Sequence, residues 1–137
     1  MLFTDPIPGF NPNAGAPIPP AEAEQWTANY RNQPQTQEEL AGRKRIKAYY
    51  FGNEMLDTIQ KQPGCVGIRF YMGLEQDLTG DKSKDEYQLL AVGVDVNGYD
   101  LIPRTGPTGE LLNEDGIVGD STLKCPPVCD PTSPMNT

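Results

Sequence analysis

The sequence predicts an α+β fold, with helices first and an antiparallel sheet after them. Three observations carry this. Residues 19–62 place apolar side chains at helical spacing between start and stop signals. From Cys65 the pattern changes to runs rich in β-branched and aromatic residues, "CVGIRFYMGL" and "YQLLAVGVDV". An Asn-Gly pair then joins the second run to "YDLI", a strong hairpin signal. The expected arrangement is N-terminal helices packed on a three-stranded antiparallel meander, with irregular Pro-rich arms at both ends.

The first helix is expected from Pro19 or Pro20 to about Arg31. Proline suits the first helical turn, where its missing N–H is not needed, and Glu22 and Glu24 suit the positive end. Ala23, Trp26, Ala28 and Tyr30 give it a partly apolar face. A second helix is expected over "TQEELAGRKRIKAYYFG". Thr36 and Glu39 have capping-box spacing, Leu40, Lys44 and Lys47 recur at helical spacing, and Gly42 weakens the middle. In the third helix, "NEMLDTIQKQ", Asn53 is the cap, Met55, Leu56 and Ile59 form the apolar stripe, and Pro63-Gly64 is the stop. Strands are expected over Cys65–Leu74, Tyr87–Val96 and Tyr99 to about Ile102, the last entered through a type I′ turn at Asn97-Gly98. Beyond Pro103 the chain reads as turns, apart from the apolar scrap "GIVGDSTL". No internal repeat is present.

Gly and Pro together make up about a fifth of the 137 residues, and the prolines gather at the ends. The implied organisation is an extended arm over residues 1–18, a single domain over 19–129 and a C-terminal tail over 130–137. No stretch approaches the roughly 20 apolar residues that a membrane span needs. The opening "MLFTDPIPGF" lacks the basic and apolar regions of a secretory signal, so the cytoplasm is the default location.

The net charge is −8, with 11 cationic against 19 anionic residues. General nucleic-acid binding is disfavoured, since phosphate contacts need clustered Lys and Arg. One run departs from the trend. Arg43, Lys44, Arg45 and Lys47 hold four of the positive charges. The run reads as a solvated helix face or as a contact patch for an acidic surface, a second copy of this chain included. Trp26, the only tryptophan, reads as an anchor for the core or the arm, or as a contact residue.

The chain has no histidine, which removes the commonest general base and every Ser-His or Cys-His nucleophile pair. Cys65, Cys125 and Cys129 are its three cysteines. The last two have zinc-compatible spacing, and Cys65 can supply a third thiolate, with a carboxylate such as Asp120 or Asp130, or a water, as the fourth ligand. In polyproline II the α-carbons of Cys125 and Cys129 would lie about 12 Å apart, beyond the roughly 7 Å limit of a disulfide. A disulfide therefore requires a turn through Pro126-Pro127, which a cis bond can supply. The least demanding reading is a set of buried thiols anchoring the tail beside Cys65.

Other constellations fall short of chemistry. The loop "DLTGDKSKDE" alternates oxygen-bearing side chains, but Lys82 and Gln88 stand where a calcium loop needs Gly and Glu. Asp95 and Asp100 flank a turn with no sign of a cleft. "GIVGDS" lacks the nucleophile-elbow pattern around Ser121.

Several stretches together, "EAEQWTANYR", "QPGCVGIRFYMG", "YQLLAVGVDVNGYDL", "GIVGDS" and "CPPVC", resemble a family of small soluble proteins widespread in Bacteroidota. The similarity spans residues 18–129, and "QPGCVGIR" and the C-terminal "CPPxC" are its most specific parts. The family has no assigned activity. The resemblance implies a bacterial source and one intact domain, and it imports no catalytic residue.

The expectation is therefore a non-enzymatic interaction or assembly protein without a cofactor. It would self-associate through its terminal arms into a homo-oligomer or filament, its partners being copies of itself or another protein. The alternative is a small zinc-binding or thiol-redox protein using Cys65, Cys125 and Cys129.

Overall fold

The structure, a computed structural model, describes residues 9–136. The rest of the expected N-terminal arm and Thr137 lie outside the described residues. The secondary structure is mixed α and β. In chain order it comprises α1 (Pro20–Arg31), α2 (Gln37–Leu40), β1 (Ala48–Tyr50), α3 (Asn53–Gln60), β2 (Gly67–Glu75), β3 (Glu86–Val94), β4 (Arg104–Thr105), β5 (Leu111–Leu112), β6 (Val118–Asp120) and β7 (Leu123–Cys125). The residues cluster into two compact units. One takes the described residues through Gly15, Phe51–Met72 and Leu89–Asp120. The other takes Ala16–Tyr50, Gly73–Gln88 and the described residues from Ser121 onward.

In the first unit, α3 packs on β3 and β6. Its Ile59 is fully buried with Ala91, Val92, Val94 and Leu101 close to the same state. The approach is close because the facing positions are small. A methyl group added at Gly93 would lie 3.0 Å from Cys65 Sγ, and one at Gly119 would lie 3.2 Å from Ile59 Cδ1. β3 and β6 run antiparallel, with Leu90 opposite Asp120 and Val92 opposite Val118. The sheet order is β2-β3-β6, so β2 is an outer strand. A small hairpin, β4 with β5, completes the unit.

The third strand of the sheet is thus Val118–Asp120, where Tyr99–Ile102 was expected. The return after Asn97-Gly98 makes a bridge between Val94 and Asp100 and bonds from Asp95 N to Tyr99 O and from Leu101 N to Gly93 O, and forms no strand of its own. The turn is also not type I′. Gly98 has φ +84°, whereas the one non-glycine described residue with positive φ is Asn113. Asp95 Oδ1 accepts instead from Asn97 N and Tyr99 N, at 2.9 and 3.0 Å. A side chain that bonds its own turn has replaced the backbone preference of Asn-Gly.

In the second unit, β1 pairs antiparallel with β7, Ala48 opposite Cys125 and Tyr50 opposite Leu123. Ser121, buried beside them, lies 2.7 Å from Tyr50 O and 3.0 Å from Leu123 O through its Oγ. It brackets the strand pair. Helix α1 starts at Pro20 and ends at Arg31, as the sequence suggests.

The expected second helix stops after Leu40. The Thr36–Glu39 capping box forms. Gly42, at φ +123°, then ends the helix. Gly42 N donates to Glu39 O and Arg43 N to Glu38 O, the paired bonds of a Schellman stop. Residues 43–47 are irregular and residues 48–50 form a strand. The basic run is therefore not a helix face. In the third helix the capping position falls on Gly52, one residue before Asn53.

Candidate functional site

The candidate sites are contact surfaces. In the basic run, two of the four charges are unavailable to a partner. Arg43 is buried. Its guanidinium donates to Asp85 Oδ2 at 3.2 Å and to Lys82 O at 2.8 Å, and lies 3.2 Å from Tyr87 Oη. Asp85, buried as well, also accepts from Asp77 N at 2.7 Å. The "DLTGDKSKDE" loop is thus pinned at one end rather than wholly solvated. Asp81 Oδ1 accepts from Ser83 N and closes a short 3₁₀ turn at Lys82–Lys84.

Arg45 is equally committed. It pairs with Glu39 at 2.6 Å and donates to the carbonyls of Gln33 and Pro34. The Arg45 hydrogen bond holds the Glu39 carboxyl at a pKa of about 2. Lys44 and Lys47 are exposed. Lys47 borders a surface cavity of about 270 Å³ with Trp26, Tyr30, Arg31 and Met135. Trp26 is 57% exposed at its rim, so it serves no core. Tyr30 Oη donates to Ile46 O at 2.7 Å, and Arg31 donates to Met135 O. The C-terminal tail forms one wall of this groove. Of the interaction candidates, then, Trp26 and Lys47 come together at one surface, Arg43 and Arg45 are spent on structure, and Lys44 is exposed.

Cys125 and Cys129 are joined as a disulfide, with α-carbons 4.9 Å apart. The chain turns through Pro126 and Pro127, each following a cis peptide bond. This corrects the expectation that the two are free buried thiols. Cys65 is the free cysteine. It is half-buried in the first unit, with Sγ 3.2 Å from Gly67 O, whereas the disulfide belongs to the second. Among the described residues no group of three or more His, Cys, Asp or Glu side chains is gathered to hold a metal. A disulfide has no thiolate to offer zinc, so a site using all three cysteines would have to arise from the reduced chain.

The sequence reading missed a contact between the arm and the sheet. Phe10 lies against the Arg69 guanidinium, 5.2 Å from ring centroid to guanidinium carbon. The arm and the start of β2 enclose a cavity of about 320 Å³ lined by Phe10, Asn11, Pro12, Ile68, Arg69 and Val94, among others. Arg69 is held in place by an ion pair with Asp100, which also accepts from Tyr71 Oη. Phe10 was the available signal, a large apolar side chain within a Pro- and Gly-rich arm.

Among the described residues no helix is long and apolar enough to cross a membrane. Compared with known protein families, curated proteins and solved structures, the chain matches none.

Proposed function

We propose that this chain is a non-enzymatic assembly protein that associates with copies of itself through its N-terminal arm, as a homo-oligomer or filament. The docking of Phe10 against Arg69 carries the reading. The arm reaches that contact across residues 15–19, where Gly15 takes φ +102° and Pro17 and Pro19 offer no backbone donor. An aromatic anchor on such a hinge can leave its own cavity and enter the same cavity on a second copy. The contacts are identical in both cases, which is what makes segment exchange a low-cost route to oligomers. Lys44 and Lys47, exposed on a chain of net charge −8, favour an acidic neighbour such as another copy. The resemblance to the Bacteroidota family rests on its motifs and adds no activity to this proposal.

The test is the mass of the assembly by native mass spectrometry and light scattering. Phe10→Ala, or removal of residues 1–15, should lower that mass while the fold persists. An assembly of unchanged mass would overturn arm exchange.

The alternative is a small zinc-binding or thiol-redox protein using Cys65, Cys125 and Cys129, and the Cys125–Cys129 disulfide favours its thiol-redox form. Location bears on it: a cytoplasmic protein would keep the pair reduced, and one in an oxidising compartment would keep it closed.

A further inference from the structure

We infer that the Cys125–Cys129 disulfide is a redox latch for the C-terminal tail. Closed, it holds residues 130–136 along the groove of Trp26 and Tyr30. Opened by a dithiol reductant, it lets the tail leave that groove. The inference is independent of arm exchange. It rests on the thiol-redox reading of this pair and adds what the pair would move.

Lys47 brings the parts together, all within the second unit. Its backbone N donates to Cys125 O at 2.7 Å. Its Nζ donates to Asn136 Oδ1 at 3.4 Å, and that oxygen lies 3.6 Å from Cys125 Sγ. Lys47 also borders the groove with Trp26, Tyr30 and Met135. Disulfide, tail and groove therefore meet at one place, beside the β1–β7 pair.

The two ends of the disulfide are anchored unequally. Cys125 is buried and sits in β7 opposite Ala48. Cys129 is half-buried and lies beyond the strand, outside any helix or sheet. No residue from 130 to 136 is buried. The tail's backbone bonds are local, from Ser133 N to Asp130 O and from Asn136 N to Ser133 O. Asn136 Nδ2 folds it back on Asp130 O at 3.2 Å. Arg31 and Lys47 tie it to the rest of the unit, through Met135 O and Asn136 Oδ1. Exposed bonds without buried apolar contacts open at low free energy. The covalent link at Cys129 fixes where the tail starts, and so keeps its far end within reach of Arg31 and Lys47. Without that link, Cys125 stays in its strand while Cys129 and the tail are free to move off.

The opening step is thiol–disulfide exchange. A thiolate of the dithiol attacks Cys129 Sγ, the sulfur of the less buried cysteine. The S–S bond breaks, and its electron pair leaves on Cys125 Sγ, which takes a proton. The reductant's second thiolate then attacks its own sulfur in the mixed disulfide, and Cys129 leaves and takes a proton in turn. The protein pair gains two electrons and two protons, and the dithiol ends as a disulfide.

Trp26, the only tryptophan of the chain, makes the groove observable. The experiment is acrylamide quenching of its fluorescence in the folded full-length protein, before and after dithiothreitol, with thiols counted in parallel. The count should rise from one to three. The quenching constant should rise about 1.5-fold, from a ring 57% exposed with the tail in place, and far-UV circular dichroism should not change. Cys129→Ser should show the higher quenching without reductant. Met135→Ala should start higher than wild type and respond less to the dithiol, because the side chain that reduction carries away is already gone. Three thiols with quenching unchanged, or a Met135→Ala response as large as wild type, would overturn the latch and leave the thiol-redox reading standing. Loss of circular dichroism on reduction would also overturn it, since the disulfide would then support the unit rather than the tail. A count that stays at one in the folded protein overturns both.

Discussion

Arg43 and Asp85 meet at 3.2 Å across 42 residues of sequence, with side chains 8% and 6% exposed. The pair joins the end of the α2 stop to the end of the acidic loop. Removing one partner leaves the other buried and unpaired, which typically costs about 3–5 kcal/mol. Asp85→Ala should therefore lower the urea midpoint sharply. The double change Arg43→Met with Asp85→Leu should recover much of the loss, because a buried ion pair has a heavy desolvation cost of its own. An Asp85→Ala midpoint equal to wild type would show that the pair contributes nothing.

Glu39 should give the protein a distinct acid sensitivity. Its pKa is lowered from 4.5 to about 2, first by the Arg45 hydrogen bond and then by Thr36 N. On acidification the unfolded chain takes up this proton before the folded chain does. The stabilisation is complete above pH 4.5 and is lost as the pH falls towards 2. For a hydrogen-bonded carboxylate we expect about 1–3 kcal/mol. Asp77, Asp81, Glu110 and Asp130 also have lowered pKa values, chiefly through hydroxyl hydrogen bonds, so acid unfolding alone does not isolate Glu39. The difference between wild type and Glu39→Gln does. It should shrink across that window, and a constant difference would contradict the assignment.

Gly116 should tolerate no side chain. A methyl group there would sit 2.3 Å from Leu101 O and 2.8 Å from Ile102 Cα, both backbone atoms. Gly116→Ala should cost about 1–3 kcal/mol or more, since the main chain must shift. Gly67→Ala meets nothing within 4 Å and should be nearly neutral by thermal denaturation.

The cysteines can be counted directly. Unfolded without reductant, the chain should expose one titratable thiol, Cys65, and after reduction three. Closing so short a loop stabilises by about 2 kcal/mol in the chain-entropy account. Cys129→Ser should lower stability by that order and loosen the tail. Stoichiometric zinc uptake by the reduced chain would instead promote the cysteine-based reading.

Local signals were legible in the sequence, and distant partnerships were not. Helix α1 begins at its proline because that signal needs nothing from elsewhere, and the Thr36–Glu39 box is equally local. Gly42 misleads because a glycine inside a helical pattern and a glycine that ends one look alike until φ is known. β6 and β7 are three residues each, too short for periodicity to register. They are strands because β3 and β1 lie beside them. The same limit governs the sites. Arg43 and Arg45 looked like a free basic patch because their partners, Asp85, Glu39 and a set of backbone carbonyls, are set by the fold. Trp26 and Lys47 share a groove only because Tyr30 and Met135 complete it. Phe10 and Arg69 are 59 residues apart, and nothing in either segment names the other.

The interleaving of the two compact units bears on how the chain is made. Each unit draws on three separate segments, and the chain passes from one to the other at residues 15, 50, 72, 88 and 120. No single cut releases either unit as a continuous fragment. On the ribosome, the first unit waits for β6 and the second for β7, so neither is complete until residue 120 has been made. A protease that nicks the nascent chain, or a stop codon before residue 120, leaves two unfinished halves rather than one sound one.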